Sequence, residues 1–384
     1  MLNLLTSFAI YVIPFVIVLT LVVFVHEFGH FIVARWCGVK VDAFSIGFGP
    51  ELWARIDKHG TRWRVAAIPL GGYVKFHGDA NGASAPDPDA LGAMPEAERA
   101  VTFAAQDVWK RAAIVFAGPF ANFVLAIAIF TILFGAYGRM VIAPRIGALE
   151  EGGAGQAAGF KAGDLVLSID GAPIDAFSKM QEIVAGSAER PLVFVVRRGA
   201  EDVTLTAIPA WREVESAIGK IRIGKLGLRA SASPDDVRQE HFGPVAALGQ
   251  AVVETWSVVE RTGKYVGGLV SGRESADQLS GPIGVAQASG QMAKAAYKVG
   301  MAPFLSLIAI LSVSIGLLNL MPVPLLDGGH LMFFAIEAAR GRALNERAQE
   351  MAFRVGLAMV CALMVFSTYN DIARLVQKLT GAGS

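Results

Sequence analysis

The sequence predicts an α-helical polytopic membrane protein with four transmembrane helices, a membrane-associated β-hairpin element and one soluble α+β domain. Three observations predict it. Of 384 residues, 54% are hydrophobic and only 17% charged, too apolar a balance for an ordinary soluble enzyme. Apolar runs of the roughly 20 residues needed to cross a bilayer fall at 5–34, 112–134, 303–320 with an apolar continuation to 335, and 351–368. Between the second and third of these, residues 145–210 alternate strand and helix patterns. The net charge of +1 provides no field for nucleic acid, and no basic nucleic-acid motif is present.

The first span, assigned to residues 1–36, has neither a basic leader nor a small-residue cleavage site and is expected to be a retained transmembrane helix. Residues 37–110 follow as a cytoplasmic segment. Arg35, Lys40, Arg55, Lys58, Arg62, Arg64 and Lys75 cluster there, and Arg340, Arg342 and Arg347 precede the last span, so both places should face the cytoplasm. Within that segment "FSIGFGPELWARIDKHGTRWRVAAIPLGGYVKF" alternates around a turn at 57–60, which is hairpin chemistry. The Gly-, Ala-, Pro- and Asp-rich stretch "GDANGASAPDPDALGAMPEAER" then reads as a mobile loop.

Residues 111–138 form the second span, and 139–212 the soluble domain: "RIGAL" as a strand, "AGQAAGFKAGD" as a short helix and turn, "LVLSIDGAPI" as a hairpin, "FSKMQEIVAG" as a helix, then "PLVFVVRRG" and "VTLTAIP" as strands. Residues 213–300 are expected to be an amphipathic helical region, with Val252, Trp256, Val259 and Val266 on related faces and Glu254, Glu260, Arg261 and Lys264 arguing against a fifth span. Residues 301–338 make the third span, 339–350 a cytoplasmic turn, and 351–384 the fourth span and tail. Four spans place both termini on the outer side with the soluble domain. Cys37 and Cys361 are expected to be two lone buried thiols. His59, His77 and His241 are expected to be solvated side chains.

The chemistry sits in "HEFGH" of the first span. On a helix His26 and His30 share a face and can offer two imidazole nitrogens to one metal, while Glu27 is angled to take a proton from a water activated by zinc. Polar groups inside the bilayer are costly, at roughly 3 kcal/mol or more for a charge, so three within a turn and a half need a common partner. A catalytic zinc site usually adds a third protein ligand and leaves one position open. Asp327 is the candidate, the only acid in the long apolar stretch "GLLNLMPVPLLDGGHLMFF", where Pro322 and Pro324 break the helix and Gly328 and Gly329 let the chain turn. His330 is the competing ligand. Asn319 fits either a helix–helix hydrogen bond or substrate anchoring. Arg35 lies five residues beyond His30, which puts the ligand turn roughly 8–14 Å inside the cytoplasmic boundary.

"HEFGH" with the distant "NLMPVPLLDGGH" resembles the site-2 protease family of intramembrane zinc metalloproteases. "GFGP", "IPLGGYVK", "GPFANF", "GPIG" and "YNDIARL" resemble its bacterial branch, typified by the regulator of sigma-E protease (RseP). The resemblance implies one zinc on His26, His30 and Asp327, with Glu27 activating the water. It implies that Asn319, Pro322 and Pro324 contact substrate, as do Gly47, Phe48, Gly49, Gly71 and Gly72 of a membrane-associated hairpin whose edge pairs with an unwound substrate. "AGFKAGDLVLSIDGAPI" resembles the core of a PDZ domain, with a groove near 140–146. A single copy is present where the best-known enterobacterial member has two. The implied activity is endopeptidase cleavage of a single-span membrane protein, of the anti-sigma factor type or a remnant signal peptide, after an upstream site-1-type protease has cut it. The implied setting is the bacterial inner membrane, with the PDZ domain and both termini periplasmic. The alternative class is a non-catalytic PDZ scaffold with a structural zinc, which would close its site with four ligands and leave Glu27 idle. A metal transporter would need more polar residues along spans two and four than Asn122, Ser367 and Thr368.

Overall fold

The computed structural model describes residues 2–79, 92–216, 219–270, 281–342 and 344–380. The larger helices in chain order are α1 (Leu2–Trp36), α2 (Val108–Ala136), α3 (Phe177–Ala185), α4 (Pro244–Val270), α5 (Pro282–Val299), α6 (Ala302–Asn319), α7 (Asp327–Arg340) and α8 (Glu346–Thr380). The strands are β1 (Val41–Ile56), β2 (Arg62–Phe76), β3 (Arg139–Ile142), β4 (Ile146–Leu149), β5 (Leu165–Ile169), β6 (Ala172–Pro173), β7 (Leu192–Arg198), β8 (Glu201–Ala207), β9 (Ala210–Ser216), β10 (Gly219–Lys225), β11 (Leu228–Ala230) and β12 (Val237–Glu240). Two compact units result, one of Met1–Leu133, Ala247–Thr262 and Leu279–Ser384, the other of Phe134–Ala246 and Gly263–Gln278.

In the first unit, stretches of α1, α2, α6 and α8 are long and apolar enough to cross a membrane: Ala9–Trp36, Val108–Ala136, Ala302–Asn319 and Arg347–Val376. A helix suits that medium because it satisfies its own backbone polar groups. Half of the α2 window is buried, against 17% for α1 and 11% for α8, so α2 is the central helix. Ile13, Ile17 and Leu21 of α1, and Leu363, Met364 and Val365 of α8, point outward as lipid-facing side chains do. Cys361 lies on that outer surface of α8 and Cys37 is half-buried, both as free thiols, which corrects the expectation that both are buried. In lipid, exposure carries no penalty for an apolar side chain.

The strands β1 and β2 pair across the turn at 57–60, where Asp57 N–H meets Thr61 O at 2.9 Å. Both are bent. Residues 43–46 of β1 partner 62–65 and 72–75 of β2 at once, so the two strands fold into a small sheet whose edge is the 72–76 segment. Positive φ angles at Gly47 (89°), Gly49 (87°) and Gly71 (128°) make the bends, a backbone region that favours glycine. Phe44 anchors the sheet, fully buried with its ring centroid 5.5 Å from Phe31 and 5.7 Å from Phe24 of α1. At the turn, burial pushes the Asp57 carboxyl up, but hydrogen bonds from Trp63, His59 and Thr61 and the Arg35 charge outweigh it and hold the pKa at about 2. Most of the loop expected to be mobile, residues 80–91, lies outside the described residues.

His77 is not the solvated side chain expected. Its Nδ1 lies 2.9 Å from Asp42 and its Nε2 3.0 Å from Glu98, carboxylates remote in sequence that the fold brings to either side of the ring. His59 and His241 are exposed, as expected.

The second unit builds a four-stranded sheet in the order β6-β5-β7-β8, closed by a tight turn at Asp170 (φ 49°) and Gly171 (φ 80°). Its core packs Ile146, Phe160, Val166, Phe177, Met180 and Phe194 between sheet and α3. Strand pairing continues past residue 212: β9 with β10, β11 with β4, and β12 with β3. The described residues of 213–240 are therefore largely strand rather than the helical region expected, β9 and β10 as a local hairpin and β11 and β12 as partners of strands that precede the four-stranded sheet.

Helical structure does follow in α4 and α5. On α4 the buried residues are Ala247, Ala251, Thr255 and Val258, whereas Val252 and Trp256, of the apolar stripe read for a helix lying on the membrane or on the bundle, are exposed. Small residues permit close helix approach, and the large apolar ones face outward. On α5 the buried Gly290 meets Tyr11 of α1, where a Cβ would lie 2.2 Å from the Tyr11 ring.

Candidate metal centre

His26 and His30 project from the buried side of α1, both less than 10% exposed. Asp327 is the first residue of α7. The helix breaks between Asn319 and Asp327 across the segment that holds Pro322 and Pro324, where a break was expected. Leu325 adopts φ 105°, a strained conformation for a branched side chain, two residues before the carboxylate. Gly328 and Gly329 act differently from the turn expected of them. They are helical, and their need for glycine is spatial: a Cβ at Gly328 would lie 2.2 Å from Met321 O, and one at Gly329 2.4 Å from Val323 O. The preceding loop is folded tightly onto the start of α7.

These elements bring His26, His30 and Asp327 together as a group that could hold a metal ion, with donor atoms within 4.8 Å of one another. His26 Nε2 is 3.2 Å from His30 Nε2 and 3.1 Å from Asp327 Oδ2, and His30 Nε2 is 3.6 Å from Asp327 Oδ1. A tetrahedral zinc with ligands at about 2.0–2.1 Å needs neighbouring donors about 3.3 Å apart. The spacing fits. Asp327 Oδ2 is buried without a hydrogen-bond partner, and two ring nitrogens face each other beside it, an arrangement a shared cation resolves.

Each histidine has its outward nitrogen engaged on α2. His30 Nδ1 lies 2.9 Å from Ile114 O, and His26 Nδ1 lies 3.3 Å from the Asn122 amide. Gly118 sits between these residues, so close to the ligand that a Cβ there would lie 2.2 Å from His30 Nε2.

Glu27 is half-buried and accepts a hydrogen bond from the Val74 backbone on the edge segment of β2. A cavity of about 670 Å³ joins Glu27, both histidines and Asp327 to Gly71, Gly72, Asn319 and His330. Asn319 Nδ2 comes to 3.4 Å from His26 Nε2, so this amide stands at the metal-facing side. His330 lines the cavity but stands outside the donor cluster, its ring 5.4 Å from Phe353.

The other sequence candidates divide. Gly71 and Gly72 reach the cavity. Gly47, Phe48 and Gly49 do not line it, although Phe48 packs over Gly71 and stacks on Tyr73 at 6.1 Å. Pro322 and Pro324 shape the loop while Leu325 and Leu326 supply its lining. Glu350, Phe353, Arg354 and Leu357 of α8 complete the wall, with Arg354 paired to Glu350. Sequence reasoning missed Ile114, Gly118 and the α8 wall. A lone asparagine four residues after a glycine in an apolar span was the signal available on α2.

Helices fit to cross a bilayer, with two histidines, an aspartate and a glutamate converging on one cavity, define the class of membrane-embedded metallohydrolases. Comparison with known proteins narrows it. The profile of Peptidase family M50 matches residues 14–363. A protein of Agrobacterium fabrum named as a candidate zinc metalloprotease is 49% identical, covering 95% of this chain and 96% of its own. A similarly named protein of Rhizobium meliloti is also 49% identical, over 94% and 96%. Metalloprotease MmpA of Caulobacter vibrioides is 41% identical over 96% of both chains. The chain belongs to peptidase family M50, the site-2 protease family, and is a multi-pass membrane zinc metalloprotease.

Proposed function

We propose that the chain cuts single-span membrane proteins within or near the bilayer, holding one zinc through His26, His30 and Asp327 and using Glu27 as general base. The observation that carries this reading is the meeting of those four side chains in one cavity beside the edge segment of β2. When bound, zinc would supply Lewis acidity to the scissile carbonyl and make a water easier to deprotonate. Glu27 takes the proton from that water and passes it to the leaving amine. The Val74 N–H orients its carboxylate for this. An unwound substrate segment adds to the sheet at 71–76, which extends a peptide bond that a helix would shield. Asn319 and the loop before Asp327 hold that segment against the site, with Phe48 steadying the glycines at its edge.

The finer assignments follow the resemblance to the bacterial branch typified by the regulator of sigma-E protease. The β-rich unit serves as a periplasmic PDZ domain that keeps untrimmed substrates away, and the basic segments after α1 and before α8 lie in the cytoplasm. The substrate is an anti-sigma factor or remnant signal peptide in the inner membrane, already cut outside by a site-1-type protease. The scaffold alternative asks for a fourth protein ligand, and among the described residues three donors cluster.

The test pairs zinc content with cleavage of a reconstituted, pre-trimmed single-span substrate in wild type and Glu27→Gln. About one zinc per chain in both, with cleavage lost in the variant, is expected. Equal cleavage by the variant would remove Glu27 from the reaction.

A further inference from the structure

We propose that Asn122 is a positioning residue for His26: its side-chain oxygen accepts the Nδ1–H of His26 and so fixes Nε2 as the nitrogen that faces the metal. The proposal rests on the reading of His26, His30 and Asp327 as zinc ligands.

Asn122 is fully buried in α2, in the middle of a span. Buried polar side-chain atoms as a rule have a hydrogen-bond partner. With the amide nitrogen placed 3.3 Å from His26 Nδ1, the oxygen Oδ1 is buried without a donor. The two ends of a carboxamide have the same shape, and the hydrogen-bond network decides which faces which way. A neutral imidazole carries one N–H. If Nε2 offers its lone pair to the metal, that hydrogen sits on Nδ1, where an amide N–H would confront it. Turning the amide over places Oδ1 against the Nδ1–H and gives the orphaned oxygen its donor.

His30 provides the comparison within the same site. Its Nδ1 lies 2.9 Å from a carbonyl oxygen, that of Ile114, which can only accept, so His30 also turns a bare Nε2 toward the cluster. Ile114 and Asn122 are eight residues apart on α2, as His26 and His30 are four apart on α1. One face of α2 thereby serves both ligands. Metal-bound histidines generally donate their second N–H to such an acceptor.

The asparagine is itself held. Its backbone carbonyl accepts the Ser312 hydroxyl at 2.8 Å, and Gly316 packs so near that a Cβ there would lie 3.1 Å from the Asn122 Cβ. Both partners come from α6, the helix that leads into the Asp327 turn. Asn122 therefore couples the α1 ligand to the helix that delivers the third ligand.

The experiment uses the full-length chain in detergent, stripped of metal, with zinc affinity measured by chelator competition in wild type, Asn122→Asp, Asn122→Leu and Asn122→Ala. Asp keeps an acceptor at the same reach, whereas Leu and Ala remove it. A loss of about 10–100-fold in zinc affinity is expected for Leu and Ala, with Asp within a few-fold of wild type. The cobalt-substituted absorption spectrum should shift in Leu and Ala and be preserved in Asp. Thermal unfolding of the metal-free chains separates a packing role. If Leu or Ala lowers the midpoint but leaves zinc affinity and the cobalt spectrum unchanged, Asn122 only packs the helices and the proposal is overturned. Equal affinity losses in Asp and Ala overturn it as well, since the acceptor would then be irrelevant. A wild-type chain that binds no zinc would instead sink the ligand assignment on which the proposal rests.

Discussion

Gly118→Ala tests the packing of the metal centre with the smallest change available. The added Cβ would lie 2.2 Å from His30 Nε2, 2.5 Å from Cε1 and 2.9 Å from Cδ2. Non-bonded atoms at ease stand about 3.5 Å apart, so the imidazole must withdraw by roughly 1 Å. Zinc–nitrogen distances tolerate about 0.2 Å. Moving the helices apart instead would open the close contact of Gly29 of α1 with Ala117, where a Cβ would be 2.3 Å from the carbonyl oxygen. Folding has no comparable objection. The methyl group displaces one ring, and alanine favours a helix by about 1 kcal/mol over glycine. The variant should therefore insert with wild-type circular dichroism yet hold zinc about 100-fold or more weakly, read by chelator competition and metal analysis, with cleavage falling in parallel. Gly249→Ala on α4, where no atom lies within 4 Å of the new Cβ, is the control and should keep its zinc. Wild-type zinc affinity in Gly118→Ala would refute the reasoning, since His30 could then move freely without leaving the metal.

Three further outcomes are expected. Burial pushes the Asp79 carboxyl up to about 7, with Asp42 adding to the effect; the folded chain then holds a proton that the unfolded chain loses near pH 4, so stability falls as pH rises from about 4 to 7. Asp79→Asn should raise the unfolding free energy at pH 8 by up to about 4 kcal/mol, at about 1.36 kcal/mol per pKa unit, with the gain vanishing near pH 4; a gain independent of pH would exclude this origin. In the β-rich unit Arg198 bonds Asp164 through two nitrogens at 2.8 Å, the carboxylate being 1% exposed, so Arg198→Ala should destabilise that unit by roughly 3 kcal/mol in denaturant titration. Leu325→Gly relieves the backbone at φ 105° and should leave the midpoint unchanged or raise it by about 1 kcal/mol while lowering cleavage, because the turn that presents Asp327 is loosened; unchanged turnover would show that the strain has no part in holding the site.

The residues that could be found from sequence were those whose chemistry is rare in their surroundings. His26, Glu27, His30 and Asp327 are polar groups in apolar runs, and fixed helical spacing or a proline break told where they point. Partners joined only by the fold were hidden. His77 looks like a surface histidine until β2 brings it to Asp42 and the chain returns with Glu98. Beyond residue 212, β11 and β12 were missed because each pairs with a strand laid down far earlier, β4 and β3. On α4 the sequence showed the apolar stripe but not which face would pack on the protein. Large apolar residues mark the inward face in water, but in lipid they can face outward while alanines mark the contact, as Ala247 and Ala251 do.

The same reversal explains why α2 read as a span without chemistry. It carries no ligand and no acid or base that touches the cluster, yet Ile114, Gly118 and Asn122 recur at four-residue intervals on one helical face. The first offers a carbonyl to His30, the second removes the side chain that would strike that ring, and the third meets His26. Antiparallel to it, His30 and His26 stand one turn apart on α1, so that turn is served by the two turns of α2 from Ile114 to Asn122. This pairing constrains all three α2 positions together. Sliding α2 by one turn so that Gly118 faced His26 would set the Ile114 side chain against the His30 ring, leaving one ring without its acceptor and the other against a side chain. The central helix thus fixes where along α1 a metal can sit, through one backbone carbonyl, one missing side chain and one amide.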